Sequence, residues 1–332
     1  MTDLLKILIL NPVIIEKLNS NPLLVWVKDI EKLNFDKETI QTKRIKEFEG
    51  IYFCFYEYKV EVLFKPHYFF NNGLHNGNDF TILDCINLIR TFINKFEIPG
   101  DEAKIINIEF GVNVLPPLFI KDLISFIIYH NNNAFVNHTG LPFSKVATST
   151  NRAGKWNSHK IIKAYAKGLQ HPELVNPNTF RFEVKSKRTA YIKRSLGITT
   201  IQDLLSIEPY IKMQEIILKE FKNVLILDPD ASPTLTIKEQ DKLSQYLNPC
   251  TWYRIINENK RNHFNKHKQR YYRLIQKDRN NLKLILTNLI ESKLIELKKG
   301  ANSTPAKNDK KDANSSISIC KPCTLLNNSI QI

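Results

Sequence analysis

Three short stretches of this chain place ionisable side chains two residues apart, the spacing that puts them on one face of a β-strand. In "KIIKAYAK" that face carries Lys163, Tyr165 and Lys167, opposite Ile162, Ala164 and Ala166. In "FRFEVK" it carries Arg181, Glu183 and Lys185, opposite Phe180, Phe182 and Val184. In "INIEFGVNV" it carries Asn107, Glu109, Gly111 and Asn113, opposite Ile108, Phe110, Val112 and Val114. If the three strands are neighbours, Glu109 and Glu183 meet above one sheet with Tyr165 and several cations around them. Two carboxylates so placed suit Mg²⁺ or Mn²⁺, which take oxygen donors and keep positions open for phosphate oxygens. A phenol, with a pKa of about 10, is a poor nucleophile at neutral pH. Beside a metal-bound phosphodiester and cationic neighbours its ionised form is stabilised, and in-line attack on phosphorus becomes feasible. Arg181 and the lysines would hold phosphates. The plainer reading is a sheet face laced with cross-strand ion pairs for stability, and spacing alone leaves both open.

The elements that must carry these residues are mixed. "GIYFCFYEYKVEVLFKP" reads as one or two strands, "NNGLHNGNDF" as a loop, and "TILDCINLIRTFINKF" as an amphipathic helix capped by Asp79 or Thr81. "KIINIEFGVNV" is a strand stopped by Pro116-Pro117, and "LFIKDLISFIIYH" a second amphipathic helix. "FSKVATST" reads as a strand, "NRAGKW" as a hairpin turn and "SKRTAYIKRSL" as a helix ended by Gly197, with Thr199 or Thr200 capping the next. Beyond Glu208 helices dominate: "PYIKMQEIILKEFKNVLIL", "TIKEQDKLSQYL", then a long basic stretch to about Lys299. The tail "GANSTPAKNDKKDANSSISICKPC" has the composition of a disordered segment. The expected class is α+β: an antiparallel-sheet core with flanking helices over 1–207, a basic helical region over 208–300 and a disordered tail over 301–332.

Composition narrows the partners. The 332 residues are 42% hydrophobic, as a globular chain requires, and the formal net charge is +15. Between Arg254 and Lys283 ten Lys/Arg stand against two acids, Glu258 and Asp278. That local +8 is over half of the total and points to nucleic acid before other polyanions. Five scattered cysteines form no disulfide framework and fit a reducing cytoplasm. The apolar start "LLKILILNPVIIEKL" is interrupted by Lys6 and Pro12 and is too short to span a bilayer, so no membrane partner is expected.

Weaker features have plainer explanations. Cys320 and Cys323 have the spacing of half a zinc site without a second pair. His263 and His267 lie four apart amid cations, where contact with DNA or solvent explains them better than metal ligation. Asp228 and Asp230 read as turn residues. Tyr271-Tyr272 fits a long basic helix with half-buried aromatics.

"IINIEFGVNV", "IIKAYAKG", "FRFEVKSKR" and "LGITTIQDLL" together resemble successive motifs of phage and plasmid replication initiation proteins of the filamentous-phage gene II/X type, in the form carried by Bacteroidetes mobile elements. "LHNGNDFT" upstream, and "YLNPCTW" with "NKHKQRYYRLIQKDRNNLK" downstream, are similar to segments of the same proteins, so the resemblance runs from about residue 50 to 300. It implies rolling-circle replication initiation, in which a tyrosine nicks one strand of an origin, holds the 5′ phosphate and later rejoins the strand. Position by position, the nucleophile would be Tyr165 with Lys167 after it, and the acidic metal ligands Glu109 and Glu183, with His138 as a possible third. Ala166 stands where the family's segment has Asp, the segment just upstream reads "NSHK", and no His-hydrophobic-His motif is present. The metal expectation, Mg²⁺ or Mn²⁺, therefore rests on carboxylates. Origin DNA, as duplex and single strand, would meet Lys163, Arg181, Lys185, Arg188, Arg261, Lys266, Lys268, Arg270 and Arg273, and host helicase or polymerase would follow. The alternative is a non-catalytic origin-binding protein, a repressor or inactivated copy that keeps the initiator fold.

Overall fold

The computed structural model describes residues 1–34, 39–138, 140, 143–149, 157, 159–258, 262–278 and 280–299, with side chains left aside over 32–41. The "NRAGKW" turn, Arg261 and the tail with Cys320 and Cys323 lie outside these residues. The chain opens with β1 (Thr2–Ile9) and α1 (Pro12–Asn19), then runs through β2 (Val25–Asn34), β3 (Thr39–Phe48), β4 (Ile51–Tyr56) and β5 (Lys59–Phe64). Next come α2 (Pro66–Phe70), α3 (Ile82–Phe96), β6 (Lys104–Val114), α4 (Ile120–Phe126), β7 (Ile127–His130), β8 (Asn133–Ala134), β9 (Val136–Asn137) and β10 (Ser144–Ala147). After β11 (Ile161–Ala166) and β12 (Phe180–Ser186) the order is α5 (Thr189–Tyr191), α6 (Glu208–Lys222), β13 (Val224–Ile226), α7 (Ile237–Leu247), α8 (Pro249–Asn257), α9 (His263–Ile275) and α10 (Leu282–Lys298).

Ten strands form one sheet in the order β2-β3-β4-β5-β1-β6-β12-β11-β10-β9. Its paired neighbours all run antiparallel. The protein is thus an α+β molecule built on a large antiparallel sheet with flanking helices. The three stretches with alternating ionisable residues are adjacent, as β6, β12 and β11. Their apolar residues face a core closed by α3, α6 and α10. Phe92 of α3 stacks on Phe64 with centroids 4.6 Å apart, and Phe221 of α6 meets Phe182 edge-on at 5.2 Å. On α10, Leu286, Ile290 and Leu294 recur every fourth residue and are buried in this core, each worth roughly 1.5–3 kcal/mol as an upper bound.

Local signals explain most boundaries. The Thr81 hydroxyl and the Asp84 carboxylate cap the start of α3 reciprocally. Gly197, at φ 74°, ends the helical turn Ile192–Leu196, and Thr200 with Asp203 starts the 3-10 turn Ile201–Leu205. Two expected helices are too long. "LFIKDLISFIIYH" is helical only to Phe126, and "PYIKMQEIILKEFKNVLIL" only to Lys222. Their ends, Ile127–His130 and Val224–Ile226, pair with each other as β7 and β13 of a second, three-stranded sheet. β-branched residues with a distant partner strand leave the helix, which local periodicity does not reveal. Against this small sheet α7, α8 and α9 pack a second core of Leu225, Tyr246, Trp252, Phe264 and Tyr271. The 208–300 stretch therefore serves two cores, α10 closing the first and α7–α9 the second. Among the described residues, no helix is long and apolar enough to cross a membrane.

Gly111 lies opposite Glu183 in the β6–β12 ladder, and a Cβ there would sit 2.5 Å from the Phe182 carbonyl oxygen. Backbone cannot yield as a side-chain tip does. Gly111→Ala should lower stability by about 1–3 kcal/mol, read as a shifted urea midpoint; an unchanged midpoint would show that the two strands are not packed this closely.

Candidate functional site

The polar face of β6, β12 and β11 is buried rather than solvated, and both faces of β12 are closed off. Register explains which groups meet. Arg181 lies between Asn113 and Tyr165, Glu183 between Gly111 and Lys163, and Lys185 between Glu109 and Ile161. A bulge in β1 between Thr2 and Leu4 adds a fourth contributor, Asp3, as bulges re-aim a side chain. Asp3 Oδ2 is 3.1 Å from Arg181 Nη2, and its Oδ1 accepts from Asn76 Nδ2 at 2.6 Å. Arg181 Nη1 donates to Asn113 Oδ1 at 2.8 Å, and Asn113 Nδ2 donates to the carbonyl oxygens of Asn76 and Gly77. The loop after α2 is thereby stitched over this end of the sheet.

The lysines complete the cluster. Lys163 Nζ lies 2.7 Å from Glu109 Oε2 and 3.5 Å from Glu183 Oε2. Lys185 donates to the other Glu109 oxygen. Glu183 Oε1 and Arg181 Nε are buried without a hydrogen-bond partner. Lys167, 1% exposed, donates to Gln170 Oε1 at 2.8 Å, with its Nζ 5.4 Å from the Tyr68 ring centroid and 6.0 Å from that of Tyr165.

Burial and neighbouring charge pull these groups apart in acidity. Burial pushes the Glu183 carboxyl up to about 8; Lys163 opposes that, while the charges of Glu109 and Asp3 add to it. For Asp3 and Glu109 burial also acts upward, but Arg181 in one case, and Lys163 with Lys185 in the other, more than offset it and hold both carboxyls below their ordinary range. Burial, reinforced by the Glu183 charge, raises the Tyr165 phenol well above its usual value. Burial, then the Arg181 charge, brings the Lys167 ammonium down to about 8.

Most of the expected residues converge, but they satisfy one another. Glu109, Glu183, Tyr165, Lys163, Lys167, Arg181 and Lys185 share one face. Lys163 and Arg181 are engaged by carboxylates, so in this arrangement they do not face solvent phosphates. His138 stands apart: its backbone N–H donates to Ser144 across β10, beyond β11, and its Nδ1 accepts from the Gly140 N–H. Arg188, Lys266, Arg270 and Arg273 are exposed, the last three on α9. Lys268 turns inward, 3.4 Å from the Asn223 carbonyl oxygen.

The donor set does not fit Mg²⁺ or Mn²⁺ as arranged. Both Glu109 oxygens accept lysine N–H groups, Lys163 fills the place between the two carboxylates, and of the four glutamate oxygens only Glu183 Oε1 has no partner. Among the described residues, no group of three or more His, Cys, Asp or Glu side chains is placed to hold a metal ion. Asp3 and Asn76 escaped the sequence reading. An acid just before the apolar run "LLKILIL" was the one visible signal for Asp3, and nothing local named Arg181 as its partner.

No family model and no curated protein matches the sequence. Among solved structures the chain is similar to a rolling circle replication initiator protein from Geobacillus stearothermophilus, 12% identical, over 78% of this chain and 95% of that one, with a TM-score of 0.39. At that identity and TM-score the likeness fixes neither the function nor the site of this chain.

The raised Glu183 carboxyl has a signed consequence. Between its unfolded value near 4.5 and about 8 the folded state keeps a proton that the unfolded chain releases, so this group's contribution to stability falls as pH rises through that window. Glu183→Gln, which mimics the protonated acid, should gain on the parent protein steadily from pH 5 to 8 in urea-unfolding midpoints. A difference between the two proteins that stays constant over that range would mean Glu183 is ionised throughout.

Proposed function

We propose that this protein is a replication initiator that nicks and rejoins one DNA strand at the origin of a phage or plasmid by the rolling-circle route, with Tyr165 as nucleophile. The observation that carries this reading is the meeting of Tyr165, Arg181, Glu183 and Glu109 on adjoining strands, on segments that the resemblance to gene II/X-type initiators marks as functional. In the nicking step the Tyr165 oxygen bonds to the backbone phosphorus as the P–O3′ bond breaks. The 3′ oxygen leaves as a hydroxyl, taking up a proton, and the 5′ phosphate stays on tyrosine. Lys167, with its ammonium lowered to about 8 and its Nζ 6.0 Å from the Tyr165 ring centroid, would accept the phenolic proton after releasing Gln170. Arg181 remains positive and would offset charge at the phosphoryl group once the substrate opens this buried face. A divalent ion would supply further electrophilic assistance when bound, and Mg²⁺ or Mn²⁺ belongs to this reading only if Lys163 leaves the carboxylates. The freed 3′ hydroxyl would serve a host polymerase, with a helicase opening the duplex ahead.

A second reading is favoured by the state of Tyr165 itself. It is 5% exposed and its phenol is pushed well above the usual range, as in a tyrosine that packs rather than attacks. On this reading the chain is a non-catalytic origin-binding protein, a repressor or inactivated copy of the initiator. Supercoiled DNA carrying the flanks of the gene, incubated with Mg²⁺ or Mn²⁺, separates the two. The first reading expects a nicked circle covalently joined to protein, lost at least a hundredfold in Tyr165→Phe while DNA binding persists. Equal nicking by that variant removes Tyr165 from the mechanism, and no nicking by the parent protein with either metal favours the second reading.

A further inference from the structure

α7 and α9 pack against each other through Leu243 and Tyr246 on one side and Phe264, Tyr271 and Ile275 on the other. Burying those stripes brings the neighbouring polar positions of the two helices to a common groove of about 350 Å³. From α7 it receives Lys238 and Lys242, one helical turn apart. From α9 it receives Arg270 and Arg273, one turn apart as well. The groove's one acid, Glu239, is already engaged: Oε1 and Oε2 lie 2.8 and 2.9 Å from Lys277 Nζ, and Oε2 also caps the start of α7 at Thr236. Lys238, Lys242, Arg270 and Arg273 have no carboxylate partner among the described residues.

Four cations from two separate sequence segments, facing one cleft without counter-charge, repel one another and cost stability. A polyanion laid along the cleft relieves that cost. Arginines supply planar forks for phosphate oxygens, and lysines supply mobile point charges.

We propose that the α7–α9 groove seats the phosphodiester backbone of DNA, with Lys238 and Lys242 on one side and Arg270 and Arg273 on the other. Contacts to phosphate oxygens carry no sequence information, so the groove is assigned a positioning role in binding rather than a sequence-reading one. Lys238 and Lys242 fall outside the +8 stretch, so the site is assembled only by the packing of the two helices. The identity of the polyanion rests on the DNA-directed reading above; the existence of the groove does not.

The test measures binding by fluorescence anisotropy on a short labelled duplex of arbitrary sequence, in EDTA, across a range of salt. Neutralising either pair, Lys238→Ala with Lys242→Ala or Arg270→Ala with Arg273→Ala, should make the slope of log Kobs against log [salt] less negative by about two. Lys219→Ala with Lys222→Ala, on exposed positions of α6, should leave the slope unchanged, and thermal melting should confirm that all variants fold. Slopes unaffected in both groove variants, or lowered equally in the α6 control, overturn the proposal. An RNA duplex bound more tightly than DNA through the same four residues also overturns it. The outcome is independent of nicking. A groove that binds DNA in a protein that never nicks defeats the catalytic reading alone, and an indifferent groove in a protein that nicks defeats this proposal alone.

Discussion

A guanidinium that is 2% exposed cannot remain in a protein interior unpaired, because stranding such a charge costs about 3–5 kcal/mol. Arg181 sits at this limit, in the middle of the sheet, and the chain answers it from three directions. The β1 bulge supplies Asp3, β6 supplies Asn113, and the loop after α2 supplies Asn76 to hold Asp3 in place. β1 and β6 are joined in the sheet directly, so pairing Arg181 also sets how the two five-stranded halves meet. The rest of the charge cluster builds outward from there. Lys163 and Lys185 neutralise Glu109, and Glu183 is left as the one acid without a full partner.

That arrangement joins two properties that often conflict. A buried face in which most charged groups are positioned by another of opposite sign or by an amide holds its geometry. The same burial suppresses ionisation of Tyr165 and Glu183, which are groups a phosphoryl-transfer site would use. If Tyr165 attacks a phosphodiester, arrival of the substrate must do electrostatic work on the cluster, drawing a cation toward phosphate and releasing a carboxylate. Lys163 is the natural mover, since its side chain is 21% exposed against 2% for Arg181.

The local part of this protein was legible in its sequence. Alternation placed Glu109, Glu183 and Tyr165 on one face of three strands, and the Thr81 and Gly197 boundaries followed from capping chemistry. What depended on long-range pairing was not. "IIYH" and "NVLIL" read as continuations of helices because the pairing that joins them spans about a hundred residues, and the other neighbour of "IIYH" is only the two-residue β8. Asp3 looked like an ordinary residue ahead of an apolar strand because its role comes from a bulge and a partner on β12. Whether the polar face was a site or a mesh of ion pairs stayed open because nothing in the strands says what covers them. The groove between α7 and α9 was invisible for the same reason, as its cations are neighbours only after the helices pack.

α10 has a consequence for how the molecule is made. It lies against α6 and β6, and its Leu294 carbonyl accepts from Gln214 at 2.7 Å within the first core. The part of the apolar face that α10 covers therefore stays open until residues 282–298 have been synthesised. A chain emerging from the ribosome would carry a partly exposed sheet for most of its synthesis, with the slow, non-local closure that such topologies impose. Stalled or shortened products ending before α10 would present that face to other chains, so a segment distant in sequence from the polar cluster would govern how much of the protein reaches a soluble, closed state.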